Sequence, residues 1–379
     1  MFAAQAAAFV VLCARLSRGR RRLPPIEPRI DGETGTTVSV VVPARNEALR
    51  IGACLDGLRA QGAPLVETIV VDGASTDDTP AIVDAATSRD TRIRRISEPP
   101  RPGGYVGRPW AIAAGCAEAR GEWIMIVDAD TAPKPGMVAG AVISAQTHEL
   151  DVVSFAPRII APSAGARWLQ PSFLTTLVYR FGPPGLDETD PERVMANGQC
   201  FLMRRSVLER AGGYVAAADS FCDDIRIARH LASRGARVGF LDGRLLLDVV
   251  MYRTGRETWR AWPRSLNMRD ATETRWRWLD AMFLLLAQGL PLVIVAGIAI
   301  AFVSGVRASW LAPLAAVNIA LLGVRVLFNV AIARSFAYRG ASFWLSPLAD
   351  IAAVSRVVET IVRRPREWRG SPRLEPARH

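Results

Sequence analysis

The chain has 379 residues, half of them hydrophobic, with a formal net charge of +11 and a mean hydropathy of +0.16, which is longer and greasier than one ordinary soluble domain. Five cysteines (Cys13, Cys54, Cys116, Cys200 and Cys222) show no C-x-x-C spacing, which argues against a disulfide framework or a zinc site and suits a reducing compartment. The positive charge crowds Arg15 to Arg29, Arg253 to Arg277 and Arg363 to Arg369, each beside an apolar stretch and none with a nucleic-acid-binding signature, so a membrane surface or an anionic substrate is expected and nucleic acid is not.

At the N-terminus, MFAAQAAAFVVLCARLSRGRRRLPP carries an apolar run shorter than the roughly 20 residues of a full membrane span. Its charge follows the run, where a secretory signal would place it first. Residues 1–30 therefore read as a short anchor or interfacial helix with its basic end in the cytoplasm, or as a disordered leader, and Pro24 to Thr37 as a linker. From Val38 the pattern becomes alternating strands and helices. VSVVVP (Val38 to Pro43), ETIVVD (Glu67 to Asp72) and GEWIMIVDAD (Gly121 to Asp130) are continuous apolar runs, expected as strands of a mostly parallel sheet covered on both faces. Lack of alternation places GEWIMIVDAD near the sheet's centre. DVVSFAP and ARVGFLD are further strand candidates, with a helix starting near Asp223.

Beyond the α/β stretch, expected over 31–248, lies an Arg/Trp-rich interfacial segment at 249–278. The region 279–379 follows as a membrane part. Leu279 to Val303 and Trp310 to Ala333 are long and apolar enough to span, and the weakly charged connection between them suggests a hairpin with both ends cytoplasmic. Arg325 blemishes the second span and is expected to face a neighbouring helix or to snorkel, with a headgroup or pyrophosphate contact as the alternative. Phe343 to Val362 contains Asp350, Arg356 and Glu359 and reads as an interfacial or re-entrant helix.

Ligands of such sheets bind beyond the carboxyl ends of the strands, where Pro43, Asp72 and Asp128 all stand. In an extended chain Asp128 and Asp130 would point the same way and converge on one divalent cation, Mg²⁺ or Mn²⁺, that binds a diphosphate; a turn or helix cap is the bland alternative for two acids so spaced. Asp72 can accept hydrogen bonds from a base or ribose, whereas Asp77 is equally explained as a helix cap. A helix is expected near Pro109, and Arg108 before it could contact a phosphate or be a solvated side chain. Because Lys134 is the only lysine, an arginine where lysine would serve is read as compositional bias. No G-x-G-x-x-G follows the first strand, which disfavours a dehydrogenase.

VVPARNE, VVDGASTDDT, GRPWAIAAG and IVDADT, in that order, resemble family 2 glycosyltransferases with a GT-A fold. The resemblance continues through ANGQCFLMRRSVLERAGGY, CDDIRIARHL and RTGRETWRAWPRS, covering roughly Val38 to Arg277, and the tail is similar to that of bacterial enzymes associated with carotenoid and hopanoid glycosylation. By resemblance, Pro43, Arg45, Glu47 and Asp72 hold the uridine part of a sugar nucleotide, with Asp128 and Asp130 around the metal. Arg108 stands where the family commonly has Lys. Asp224 maps to the catalytic base, Asp223 to its acidic partner, and Arg260 with Trp262 to an element that helps bind diphosphate and acceptor, although the spacing there is not identical.

The resemblance thus implies an inverting hexosyltransferase at the bacterial inner membrane, its catalytic domain facing the cytoplasm. It would move sugar from a nucleotide donor, expected to be a UDP-sugar, to a lipid hydroxyl. Polysaccharide or polyprenyl-phosphate glycosylation, and a non-catalytic nucleotide-sugar-binding protein, are the competing expectations.

Overall fold

The computed structural model describes residues 1–30, 34–186, 188–265 and 274–363 and the short strands Glu367–Trp368 and Ser371–Pro372. The centre of the expected Arg/Trp-rich segment, 266–273, and most of the arginine-rich tail lie outside the described residues. Two compact units are present: an α/β unit, Leu23–Ile159 with Pro184–Met251, and a helical unit, Met1–Arg22, Ile160–Pro183 and Tyr252–Pro365. Residues 160–183, inside the stretch expected as α/β, therefore belong to the helical unit.

The α/β unit is built on a seven-stranded sheet of order β3-β2-β1-β4-β8-β6-β9. Its strands are β1 Val38–Ala44, β2 Leu65–Asp72, β3 Ile93–Ser97, β4 Trp123–Val127, β6 Val152–Ala156, β8 Cys200–Arg204 and β9 Val238–Asp242. β1 pairs parallel with β2 and β4 (Val40 opposite Thr68 and Met125), and only β8 runs antiparallel to its neighbours, β4 and β6. All five residues of β4 are buried and the strand is fourth of seven, in agreement with the central position read from its lack of alternation. β3 was not legible as a strand because IRRIS, at the sheet edge, carries two half-exposed arginines.

Period-two side chains divide the core between the faces. Val40, Val42, Met125 and Val127 pack with helices α2 (Ile51–Arg59) and α5 (Met137–Thr147). Val41, Ile69, Ile124 and Ile126 pack with α4 (Gly107–Glu118) and α8 (Asp223–Ser233). α4 lies close on the sheet through Gly115, where a Cβ would stand 2.4 Å from Val41 Cγ1. That close approach carries Arg108, on the first turn of α4, to the carboxyl ends of the strands.

A second, three-stranded sheet has the order β5-β10-β7, with β5 Thr131–Pro133, β7 Arg158–Ile159 and β10 Leu247–Val249. It corrects the expectation that Asp128 and Asp130 continue an extended strand. β4 ends at Val127 and the chain turns through the two acids so that β5 can pair antiparallel with β10. The turn is thus tied at both ends by strands.

In the helical unit, Leu311–Ser335 is long and apolar enough to cross a membrane. The other expected span is broken: Arg277–Gly289 and Pro291–Val303 meet at 48°, so the pair counts as one span only if bent. The cause is local. Pro291 has no N–H to continue the ladder, and the preceding Leu290 N–H bonds five residues back to the Leu285 carbonyl at 2.8 Å, closing a π turn. Arg325 faces a neighbouring helix: Nε donates to Asp350 Oδ2 at 2.7 Å and Nη2 to Oδ1 at 3.1 Å. The N-terminal helix Phe2–Ser17 joins the same unit through reciprocal amide bonds between Gln5 and Asn318, at 2.6 and 2.8 Å.

Candidate functional site

Two loops at the strand ends form one wall. The loop after β1 and the loop after β2 are stitched together: the Asn46 side-chain oxygen accepts the Thr76 N–H at 2.8 Å, and Thr79 Oγ1 accepts the Glu47 N–H at 2.8 Å. Asp77 accepts the N–H groups of Ala48 (3.1 Å) and Thr79 (3.0 Å). Asp77 therefore staples the two loops and takes the first N–H of the helix Thr79–Thr87 from the residue before its N-cap, Asp78. Asp72 is buried at the end of β2, where its Oδ1 accepts the Ser75 N–H at 3.3 Å.

These loops and the acidic turn line an open cleft. Pro43, Arg45, Glu47, Arg108, Asp128 and Asp130 all line it, as do Gly73 and Glu98. Glu47 pairs with Arg50 at 3.3 Å, and the Nε of Arg45 is buried with no hydrogen-bond partner among the described residues. Glu98, held 3.5 Å from Arg101, is raised above the usual carboxylate range by burial. Sequence reading missed it because β3 was not recognised; the strand-end rule that selected Asp72 selects Glu98 equally.

The acidic turn is anchored to the chain before β8: the Asp128 N–H donates to the Gln199 carbonyl at 3.2 Å, and the Asp128 carbonyl accepts the Thr131 hydroxyl at 2.8 Å. Arg108 reaches the same place from α4. Its Nε and Nη2 donate to Asp128 Oδ1 at 3.2 and 2.9 Å, its Nη2 also to the Gly198 carbonyl at 2.8 Å, and its Nη1 to Asp223 Oδ2. Asp223 further accepts the Tyr214 hydroxyl at 2.9 Å, so it binds side chains and does not cap α8. Its neighbour Asp224 accepts the N–H groups of Gly198 (2.7 Å, Oδ2) and Ile225 (2.9 Å, Oδ1). Gly198 and Tyr214 were quoted within motifs but not singled out, since neither carries a charge that a sequence reading would seek.

Electrostatics follow from this crowding. Burial, then the Asp128 charge, pushes Asp130 up to about 7, while Arg50 and Arg108 pull it back. Burial, then Asp223, pushes Asp224 up to about 7 against Arg108 and its two backbone donors. Asp128 is raised by burial and partly restored by Arg108. Among the described residues no three His, Cys, Asp or Glu side chains form a metal cluster. Two carboxylates in one cleft nevertheless suit Mg²⁺ or Mn²⁺, which take one or two protein oxygens and complete their shell with phosphates and water. Burial is the larger cause of the Asp130 elevation, and the smaller part, repulsion from Asp128, is what a dication would relieve.

Arg260 and Trp262 lie on the helix Gly255–Ser265 of the helical unit. Arg260 is exposed. Trp262, expected to touch a ligand, is buried, its ring 5.7 Å from Phe173 and 5.9 Å from Tyr252, so its place is in that unit's core.

Several known proteins are similar to this chain. The probable glycosyltransferase YdaM of Bacillus subtilis (strain 168) is 27% identical over 245 residues, covering 63% of this chain and 54% of that protein. The 4,4'-diaponeurosporenoate glycosyltransferase of Staphylococcus haemolyticus is 30% identical over 115 residues, 30% of each chain. The chain spans between about a third and a half of the length of the curated relatives it matches. A mannosyltransferase of Pyrobaculum calidifontis, solved with GDP-Man and Mn²⁺, superposes with a TM-score of 0.52 at 22% identity over 95% of this chain and 96% of that one, a likeness of fold. Residues 39–212, from β1 to just short of Tyr214, match the family described as Glycosyl transferase family 2.

Proposed function

We propose that the protein moves a hexose from a nucleotide sugar, a UDP-sugar in the first instance, to a hydroxyl of a membrane lipid of isoprenoid type, with inversion at the anomeric carbon. The observation that carries this reading is the joining of Asp128, Arg108, Gly198, Asp223 and Asp224 into one hydrogen-bonded cluster, two members of which, Arg108 and Asp128, line the cleft. Acids on the donor side and a base candidate on the acceptor side stand together although they are far apart in the chain. Asp128 and Asp130 would hold the divalent cation, whose chemistry is to neutralise charge on the departing diphosphate. Pro43, Arg45, Glu47 and Asp72 are assigned to the nucleoside side, with the unpartnered Nε of Arg45 supporting a polar ligand there.

In the transfer, the acceptor oxygen attacks the anomeric carbon, its proton passes to an Asp224 carboxylate oxygen, and the nucleoside diphosphate leaves with the electrons of the broken C–O bond. Asp224 suits the role because a carboxylate near 7 is basic enough to take a proton yet ionised in part at neutral pH. The rate is therefore expected to climb about tenfold per pH unit below 7 and to level off above it, because only the deprotonated form accepts a proton. A pH–rate profile that is flat between pH 5.5 and 8, values spanning that ~7 midpoint, removes Asp224 from the base role.

A lipid acceptor is supported by the apolar helix Leu311–Ser335, by the broken pair before it, and by the diaponeurosporenoate-glycosylating relative. Arginines at Arg18 to Arg22 and at Arg334 support cytoplasmic ends for the helices, and so a catalytic unit on the cytoplasmic side of a bacterial inner membrane. Membranes containing the protein, incubated with radiolabelled UDP-sugars and native lipid extract, should pass label into the organic phase. Label found only in water-soluble polymer would replace the lipid by a polysaccharide acceptor.

Gly198 provides a finer test. A Cβ there would lie 2.6 Å from Arg108 Nη2, and the guanidinium can withdraw only by abandoning its acids. Gly198→Ala is expected to slow transfer by roughly 10–100-fold, as displacements of about 1 Å at a reacting group do, with the circular dichroism spectrum unchanged. Wild-type turnover in that variant would show that the cluster tolerates displacement.

A further inference from the structure

The guanidinium of Arg108 offers five N–H groups in a rigid planar fork. Four are committed: Nε and Nη2 to Asp128, Nη2 again to the Gly198 carbonyl, and Nη1 to Asp223. The remaining Nη1 hydrogen cannot make the paired contact by which arginine clamps a phosphate. To serve as a phosphate ligand, Arg108 would have to leave Asp128 or the buried Asp223.

We propose that Arg108 is a positioning residue, a charge bridge that ties the donor-side acid Asp128 to the pair Asp223–Asp224 and holds Asp224 in its reacting place, and is not a ligand of the donor phosphates. This rests on reading Asp224 as the base. The Gly198 peptide is the mechanical link, since its carbonyl takes Arg108 at 2.8 Å while its N–H holds Asp224 Oδ2 at 2.7 Å. Asp223 is the electrostatic link, accepting Arg108 and the Tyr214 hydroxyl on the same oxygen.

The groups that act on Asp224 are Asp223 on its own helix, Arg108 from α4, and the N–H groups of Gly198 and Ile225; behind them Asp128 bonds to Arg108, and Tyr214, from the turn Gly213–Ala217, to Asp223. Arg108 is the one cation among these, so its removal leaves the repulsion from Asp223 unopposed. A lysine ammonium, with three donors on one atom, cannot span Asp128, Asp223 and Gly198 together.

The experiment compares Arg108→Gln and Arg108→Lys with wild type in the full-length protein, using calorimetric titration with UDP (GDP in parallel) and pH–rate profiles with the labelled donor. Arg108→Gln should leave the Kd for the nucleotide within about threefold, less than half the free energy of a tenfold change. Its acid limb should move upward by about one pH unit, the size of effect an adjacent opposite charge exerts. Arg108→Lys keeps the charge, so its limb should stay near the wild-type position while the plateau rate falls.

A Kd weakened by about tenfold or more, with the acid limb unmoved, makes Arg108 a phosphate ligand and overturns the bridge. If Arg108→Gln does not fold, Arg108→Lys decides on the same measurements: an unchanged Kd with a lowered plateau supports the bridge, and a weakened Kd with an unchanged plateau overturns it. Asp224→Asn serves as the control. An inactive Asp224→Asn beside an unmoved Arg108→Gln limb sinks the bridge alone, whereas an active Asp224→Asn sinks the base assignment and the bridge with it.

Discussion

Asp224→Asn is expected to lower the transfer rate by roughly 10²–10⁴-fold, the contribution typical of a positioned general base. The substitution preserves shape. Its side-chain oxygen can still accept the Ile225 or Gly198 N–H, and Arg108 keeps its bonds to Asp128, Asp223 and Gly198. What is lost is the capacity to take a proton, since an amide oxygen is far too weak a base. Nucleotide-sugar affinity should accordingly remain close to wild type, because the cleft lined by Pro43, Arg45 and Asp130 is untouched. The informative pair of measurements is donor Kd by calorimetry and single-turnover rate. Unchanged Kd with a collapsed rate assigns Asp224 to the chemical step; loss of both would make its role structural.

The second large effect concerns stability. Asp350→Ala would leave Arg325 charged and buried at 2% exposure, with Asn329 as its remaining close partner. Removing one member of a buried ion pair costs about 3–5 kcal/mol, whereas replacing both with apolar residues of similar size is often neutral. Asp350→Ala should therefore lower the thermal unfolding midpoint of the detergent-solubilised protein sharply, and the double variant Arg325→Met with Asp350→Leu should recover most of the loss. Equal destabilisation by the single and double variants would mean that the neighbouring amide and hydroxyl contacts from Gln288, Ser172 and Ser346 carry the stability and the ion pair does not.

Much of the site could be read in advance. Strands with no polar alternation must be buried on both faces, which implied a parallel sheet, and the ends of such strands are where ligands bind. That rule alone selected Pro43, Asp72 and Asp128. Asp130 lines the cleft, but from a turn and not from the extended path expected of it. The rule failed at β3, whose edge position lets Arg94 and Arg95 interrupt the apolar run, and Glu98 was missed in consequence.

The sequence by itself determined the class of the fold, the order of the motifs and which side chains could bear charge into a cleft, because these depend on local periodicity and residue chemistry. It also determined that the C-terminal part contains an apolar helix of membrane-spanning length. Only the tertiary structure decided the pairings. β8 enters antiparallel between β4 and β6, and residues 160–183 join helices from both ends of the chain. Arg325 finds Asp350, and Arg108 finds both Asp128 and Asp223. The physical reason is common to all four. A hydrogen bond or ion pair between residues distant in sequence has no local period to announce it, and its geometry exists only after packing has fixed the backbones that carry its two halves.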